Sequence, residues 1–215
     1  MNTPQIEFWS GDFGREYTDR NTYSPESWDA FYLHHFGVTK LEMNADALRD
    51  LPKDARILEV GCNIGLQLLG FQRMGFTNLY GVELQQYAVE KAKSMTAGIQ
   101  IIQGSGFDLP FKDGFFDLVC TNGVLIHIAP QDHAAFMGEI FRCTRRYVMG
   151  FEYKAAEVTR IPYRGHDGFL WKADFAGIYT SHFSDLTKVY ERIYPYLSDQ
   201  ESGNQDSVFV LQKRA

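Results

Sequence analysis

Arg56-Ile57-Leu58-Glu59-Val60-Gly61-Cys62-Asn63-Ile64-Gly65, followed by Leu79-Tyr80-Gly81-Val82-Glu83-Leu84, is the stretch on which the fold turns. Arg56 to Val60 is a short apolar run of the kind that forms a fully buried strand, and it ends at Gly61. Glycine there lets the backbone turn sharply and lets a ligand approach the main chain. In open α/β sheets the ligand crevice lies at those carboxyl ends. Working outward, Leu66 to Met74 predicts a helix stopping at Gly75, Leu79 to Glu83 a second strand, and Gln85 to Met95 a second helix. Ile99 to Ile102 and Phe115 to Thr121 read as strands, Gln131 to Arg145 as a helix, and Tyr147 to Phe151 as a fifth strand. Strands alternating with helices predict right-handed crossovers and a mostly parallel sheet covered on both faces. Leu186 to Tyr194 and Ser207 to Lys213 are two more strand-like runs, joined by a loop from Pro195 to Asp206, which suits an antiparallel hairpin at one edge.

Upstream, residues 1–22 read as a short helical arm ending near Arg20-Asn21. Ser24-Pro25-Glu26 is a helix start with Ser24 as N-cap. Trp28 to Leu51 is one amphipathic helical pattern that stops at Pro52. Length bounds the rest: 215 residues fit one large domain. Hydrophobic residues at 45% and charged ones at 22% exclude disorder and fibrous repeats. No apolar run approaches the ~18 residues of a membrane span, and the opening MNTPQIEFWSGDFG lacks the regions of a signal peptide. Cys62, Cys120 and Cys143 are odd in number and lack C-x-x-C spacing, which predicts reduced core thiols in a cytoplasmic protein. Net charge is −6 with no basic block beyond Arg145-Arg146, so neither a nucleic-acid surface nor a membrane partner is expected. Aromatics cluster in the first ~36 residues and between Phe151 and Tyr196, as packing or as a cap over a small-molecule pocket.

The glycine turn is not a dinucleotide fingerprint. G-x-G-x-x-G from Gly61 would need glycine at 63 and 66, where Asn63 and Leu66 stand. Glu83, 22 residues beyond Gly61, is placed to accept hydrogen bonds from both hydroxyls of a ribose. Gly104-Ser105-Gly106-Phe107 leaves room for a flat base after the third strand. Phe116 to Ile128 brings a strand end, a loop and His127 to the same rim.

In this order the motifs resemble the class I S-adenosylmethionine-dependent methyltransferases, from about residue 55 to the C-terminus. The resemblance implies a Rossmann-like seven-stranded mostly parallel sheet with an antiparallel last strand, plus an N-terminal helical arm or cap. Residues 1–215 then form a single methyltransferase domain. Its cap is 1–52, and its core is 53–215 with an aromatic-rich insertion at about 153–185. By the same resemblance S-adenosylmethionine is the cofactor and S-adenosylhomocysteine its product. Glu59, Gly61, Asn63 and Gly65 surround the methionine portion and Glu83 holds the ribose. Leu84 and Phe107 flank the adenine beside Ser105 and Gly106, and Asn122 and Val124 contact the methionine end. Two positions depart from the pattern: Asn63 replaces a common glycine, and Ser105 replaces an acid that often accepts the adenine amino group. The ends, Phe8-Trp9-x-Gly11-Asp12-Phe13-Gly14 to Arg20-Asn21 and Tyr163-Arg164-Gly165 to Phe175, resemble methylases associated with pseudaminic acid and related sugar biosynthesis.

Methyl transfer from a sulfonium is an in-line displacement in which positioning supplies much of the effect. Aromatic faces tolerate the cation without trapping it, a role for Tyr17, with Trp9 and Arg20 closing the pocket from the same arm. An oxygen acceptor needs a base, for which His127 is the leading candidate, whereas a neutral amine needs only access and a route for proton loss. Tyr163, Arg164 and His166 are candidate substrate contacts, the guanidinium suiting a carboxylate or phosphate. Arg160 and Lys172 read as assisting or merely solvated. No Asp/Asn/Asp arrangement suits Mg²⁺, so no metal is expected. The expected activity is O- or N-methylation of a small molecule, a sugar or sugar-nucleotide derivative among the candidates. Alternatives are a peptide or protein terminus as acceptor, a nicotinamide-dependent oxidoreductase, and a non-catalytic cofactor-binding subunit.

Overall fold

Each strand at the centre of the molecule is apolar on both sides, as a sheet covered by helices on both faces requires. The computed structural model describes residues 2–198 and 203–214. Parallel strands β1 (Arg56–Val60), β2 (Asn78–Glu83), β3 (Gln100–Gln103), β4 (Phe116–Asn122) and β5 (Thr144–Tyr153) are followed by a small ribbon, β6 (Thr159–Arg160) and β7 (Trp171–Lys172). Then β8 (Leu186–Pro195) and β9 (Gln205–Lys213) rejoin the main sheet. Its order is β3-β2-β1-β4-β5-β9-β8, with β9 antiparallel to both neighbours. This is the Rossmann-like seven-stranded mostly parallel sheet with a reversed last strand that the resemblance implied. The chain crosses from β3 to β4 on the other side of β1, so the order reverses there and opens a crevice at the strands' carboxyl ends.

Helices α1 (Pro4–Ser10) and α2 (Asp12–Arg20) form the arm, and α3 (Pro25–Phe36) and α4 (Lys40–Ala47) follow. Crossovers use α5 (Leu66–Arg73), α6 (Gln86–Met95) and α7 (His133–Cys143), and α8 (Phe175–His182) precedes the hairpin. On one sheet face Ile57, Leu118, Met149 and Val208 pack against Tyr32, Met43 and Phe71 of α3 to α5. On the other, Leu58, Val119, Val148 and Phe209 pack against Phe136, Ile140, Phe175 and Tyr179 of α7 and α8. Adjacent residues such as Ile57 and Leu58 serve opposite faces, which is why the strands read as continuous apolar runs.

Several boundaries differ from those predicted. The pattern from Trp28 to Leu51 is two helices: α3 ends at Gly37, in the left-handed region, and Thr39 with Glu42 forms a capping box that restarts the chain as α4. The arm is also two helices, turning at Gly11. A Cβ on Gly14 would lie 1.9 Å from the Trp9 carbonyl oxygen, so only glycine lets α2 fold back so closely on α1. The helix expected from Gln131 is a 3₁₀ turn at Pro130–Asp132 and then α7. The insertion at about 153–185 holds β6, β7 and α8, which were not foreseen. Part of the loop expected from Pro195 to Asp206 lies outside the described residues. Cys62, Cys120 and Cys143 are buried and unbridged. Among the described residues no helix is long and apolar enough to cross a membrane.

Candidate functional site

Gly61 sits at the end of β1 with φ 74°, and its N–H donates to Val82 O at 2.8 Å. A Cβ there would strike Val124 at 2.7 Å, so the turn and the loop after β4 meet only because Gly61 has none. Asn63 has φ 45°, the left-handed geometry that a glycine would supply and that asparagine tolerates. Its N–H donates to Glu83 Oε2 at 2.9 Å, and the Gln85 N–H donates to Glu83 Oε1 at 2.8 Å. Burial raises the Glu83 pKa while these N–H bonds oppose the shift. Glu59, on β1, is 3% exposed, and its Oε2 is buried without a hydrogen-bond partner. Burial pushes its pKa well above the carboxylate range. An orphaned carboxyl oxygen of this kind costs stability until a donor reaches it, and an ammonium would serve.

Beyond β3, Ser105 Oγ accepts the Phe107 N–H at 3.2 Å, and Phe107 packs edge-on against Phe136 at 5.1 Å. After β4, the Val124 and Ile126 N–H groups donate to Glu152 Oε1 and Oε2 at 3.2 and 3.4 Å. Glu152 thereby holds the loop that carries His127. It is buried, and its pKa is pushed up to about 7 by desolvation.

The arm closes over this crevice by hydrogen bonds. Thr18 Oγ1 donates to Asn63 Oδ1 at 3.0 Å, and Gln85 Nε2 donates to the Ser10 and Gly11 carbonyls at 2.9 and 3.0 Å. Lys91 and Tyr87 both bind Asp19. An aromatic wall results: Trp9 lies edge-on to Tyr17 at 5.2 Å and tilted on His127 at 4.5 Å, with Tyr163 5.0 Å from His127. His127 Nδ1 contacts the Phe169 carbonyl at 2.6 Å. That contact requires an Nδ1–H donor, which leaves Nε2 as the unprotonated nitrogen of the neutral ring. Burial holds its pKa down to about 4.

A cavity of about 650 Å³ runs along this rim, within the range of roughly 300–1,000 Å³ common for small-molecule sites. It brings together Tyr17, Arg20, Glu59, Gly61, Asn63, Glu83, Leu84, Ser105, Gly106, Phe107, Asn122 and Val124, together with Trp9, His127, Tyr163 and Arg164. Two residues named from the sequence do not line it. Gly65 instead opens α5 with φ 81°. His166 is exposed, and its ring packs on Phe8 and Phe13 at the outer side of the arm. Arg20 and Arg164 are exposed at the mouth, Arg20 paired with Glu16. Arg160 pairs with Asp167, and Lys172 bonds Asn204.

Sequence reading missed Tyr32, Glu152, Tyr196 and Asp206, which line the cavity, and Lys40, which is buried behind it. Only Glu152 carried a signal, an acid inside the apolar run of β5. Lys40 Nζ donates to Asn122 Oδ1 at 2.7 Å and lies 3.4 Å over the Phe151 ring.

Residues 58–147 match the family described as methyltransferase domain. An uncharacterized methyltransferase of Schizosaccharomyces pombe is 33% identical over 110 residues, which are 46% of this chain and 39% of that protein. The chain spans less than half the length of the curated relatives it matches. Among solved structures, the 1,6-didemethyltoxoflavin-N1-methyltransferase of Burkholderia thailandensis superposes with a TM-score of 0.71 at 15% identity, covering 100% of this chain and 92% of that one. It contains 1,6-didemethyltoxoflavin and S-adenosylhomocysteine. Geranyl diphosphate C-methyltransferase from Streptomyces coelicolor gives 0.70 at 12% identity, covering 98% of each chain, with S-adenosylhomocysteine present there too. These structures share the fold of this chain.

Proposed function

We propose that this protein is an S-adenosylmethionine-dependent methyltransferase acting on a small molecule. The observation that carries the reading is the pairing, in one cavity, of Glu83 oriented by two backbone N–H groups with the unpartnered oxygen of Glu59. A ribose diol suits the first, and the ammonium of an amino acid suits the second. The methyltransferase-domain match over residues 58–147 supports the same cofactor. When bound, S-adenosylmethionine supplies a methyl group activated by a sulfonium.

The chain's own residues do the rest. Leu84 and Phe107 flank the base, and Asn122 and Val124 border the methionine end. Tyr17 and Trp9 exclude water and present ring faces toward positive charge. His127, neutral and oriented by the Phe169 carbonyl, offers Nε2 to a proton leaving an oxygen or nitrogen acceptor. Closure of the arm over the crevice favours a small acceptor over a peptide terminus. The resemblance of the chain's ends extends the reading to a sugar or sugar-nucleotide derivative. Against a nicotinamide cofactor, Leu66 fills with a buried side chain a position where the dinucleotide turn needs glycine.

Calorimetry with S-adenosylhomocysteine and NAD is the test of the cofactor. S-adenosylhomocysteine is expected to bind and NAD to give no heat; the reverse would end the proposal. Transfer of label from methyl-labelled S-adenosylmethionine into the small-molecule fraction of a lysate, followed by mass identification, then names the acceptor.

A further inference from the structure

We propose that the acceptor is gripped through a basic nitrogen by Asp206, in the lobe of the cavity between α3 and the β8–β9 hairpin. This rests on the methyltransferase reading and adds the chemical class of the second substrate. Asp206 is 2% exposed and lines the cavity, yet among the described residues its Oδ1 has no hydrogen-bond partner; Oδ2 accepts the Tyr196 hydroxyl at 3.2 Å. Asp206 alternates with Val208 and Val210 along β9, so it stands on the same sheet face as Glu59 of β1 and Asn122 of β4. Glu59 Oε2 and Asp206 Oδ1 are therefore two unpartnered acid oxygens in one cavity. They stand three strands apart, about 14 Å across the sheet at ~4.8 Å per strand, and four residues apart in register, about 13 Å along the strands, so roughly 19 Å in all. A single ammonium cannot serve both. With the ammonium of the methyl donor at Glu59, Asp206 is left for a second molecule.

Lys40 and Lys172 act on Asp206 through their charge, but among the described residues neither is bonded to that oxygen. Among the described residues none forms an ion pair with Asp206, and Lys40, on the same face, is committed elsewhere. Its ammonium donates to Asn122 and lies 3.4 Å from the Phe151 ring centroid and 4.8 Å from that of Tyr32. Around Asp206 the lobe is walled by Tyr32, Phe36, Tyr153 and Tyr196, whose faces attract a cation and stack on a flat ring. Burial holds the Asp206 carboxyl up to about 7, a penalty that an arriving cation relieves. The nitrogen at Asp206 is a recognition group, and the methylated atom is a separate one nearer the donor.

The test compares tryptamine, tryptophol and indole-3-acetate, matched rings bearing a cation, a neutral hydroxyl and an anion. Each is titrated by calorimetry into the full chain saturated with S-adenosylhomocysteine. Tryptamine is expected to bind at least ten-fold more tightly than the other two. Asp206→Asn is expected to reduce that preference at least five-fold while S-adenosylhomocysteine affinity stays unchanged. Equal binding of all three, preference for indole-3-acetate, no binding of any, or an undiminished preference in Asp206→Asn would each overturn the assignment. The comparison in the unaltered protein stands even if the variant fails to fold. Absence of S-adenosylhomocysteine binding overturns the methyltransferase reading itself and is seen in a separate titration.

Discussion

Glu83 holds one backbone N–H on each carboxylate oxygen, from Asn63 and Gln85, so its plane is set before any ligand arrives. Replacing it with alanine removes the ribose acceptor, and S-adenosylhomocysteine affinity is expected to fall by about 1–3 kcal/mol, the cost of leaving polar partners unsatisfied. Calorimetry checks this, and unchanged affinity would remove Glu83 from the ribose. His127 makes a prediction of a different kind. Its pKa is held down to about 4 in the folded chain, against about 6.5 for an ordinary histidine. Between those values the unfolded chain binds more protons, so the stability tied to neutral His127 is present above pH 6.5 and is lost as pH falls toward 4. Denaturant titrations at pH 7 and 4.5 should show the wild type losing more stability than His127→Gln, by on the order of 2 kcal/mol. Parallel losses would mean that the ring is already charged.

The arm is held at the scale of whole elements. Its helices α1 and α2 attach to the core through Thr18 on Asn63, Gln85 on the α1–α2 turn, and Lys91 and Tyr87 on Asp19. Most of these contacts are exposed and individually weak, so the arm is expected to open more readily than the sheet. Gly14→Ala drives a Cβ into the Trp9 carbonyl. It should raise protease sensitivity across residues 4–20 and weaken S-adenosylhomocysteine binding several-fold, while amide exchange in β1, β4 and β5 stays slow. Loss of protection throughout the sheet would show instead that the arm is part of the core. Behind the arm, a reciprocal pair of amide hydrogen bonds between Asn44 and Gln67 locks α4 to α5, although neither residue stood out in the sequence.

Across the whole molecule, Lys40 is the one lysine buried among the described residues, and its ammonium lies near the carboxyls of Glu59, Glu152 and Asp206. Desolvation pushes Lys40 down to about 7, against about 10.4 when unfolded. From pH 7 to 10 the unfolded chain therefore binds more protons at this residue, and its contribution to stability rises with pH. Comparing wild type with Lys40→Met by denaturant titration, the wild type should gain on the order of 2 kcal/mol relative to the variant between pH 7 and 9.5. A difference independent of pH would show that the ammonium stays charged throughout.

The sequence by itself determined the sheet, the glycine turn after β1 and the acid at the end of β2. Those features follow from local rules: apolar runs of strand length, a glycine where the backbone turns left-handed, and a fixed spacing along one crossover. Residues 58 to 83 needed no knowledge of the remaining chain to be read. The split of α3 from α4 was equally local, in Gly37 and the Thr39–Glu42 box, but the amphipathic period masked it. Tertiary structure alone decided which charges are inside. Lys40 stands on an amphipathic helix where a lysine reads as solvated, and Asp206 stands where an acid reads as part of a turn. Both are buried because β5, β9 and α3, distant in sequence, converge on them. The same convergence left His166 outside the cavity while bringing Tyr163, three residues away, into it. Burial is set by what the rest of the chain puts opposite a side chain, and no window of neighbouring residues contains that information.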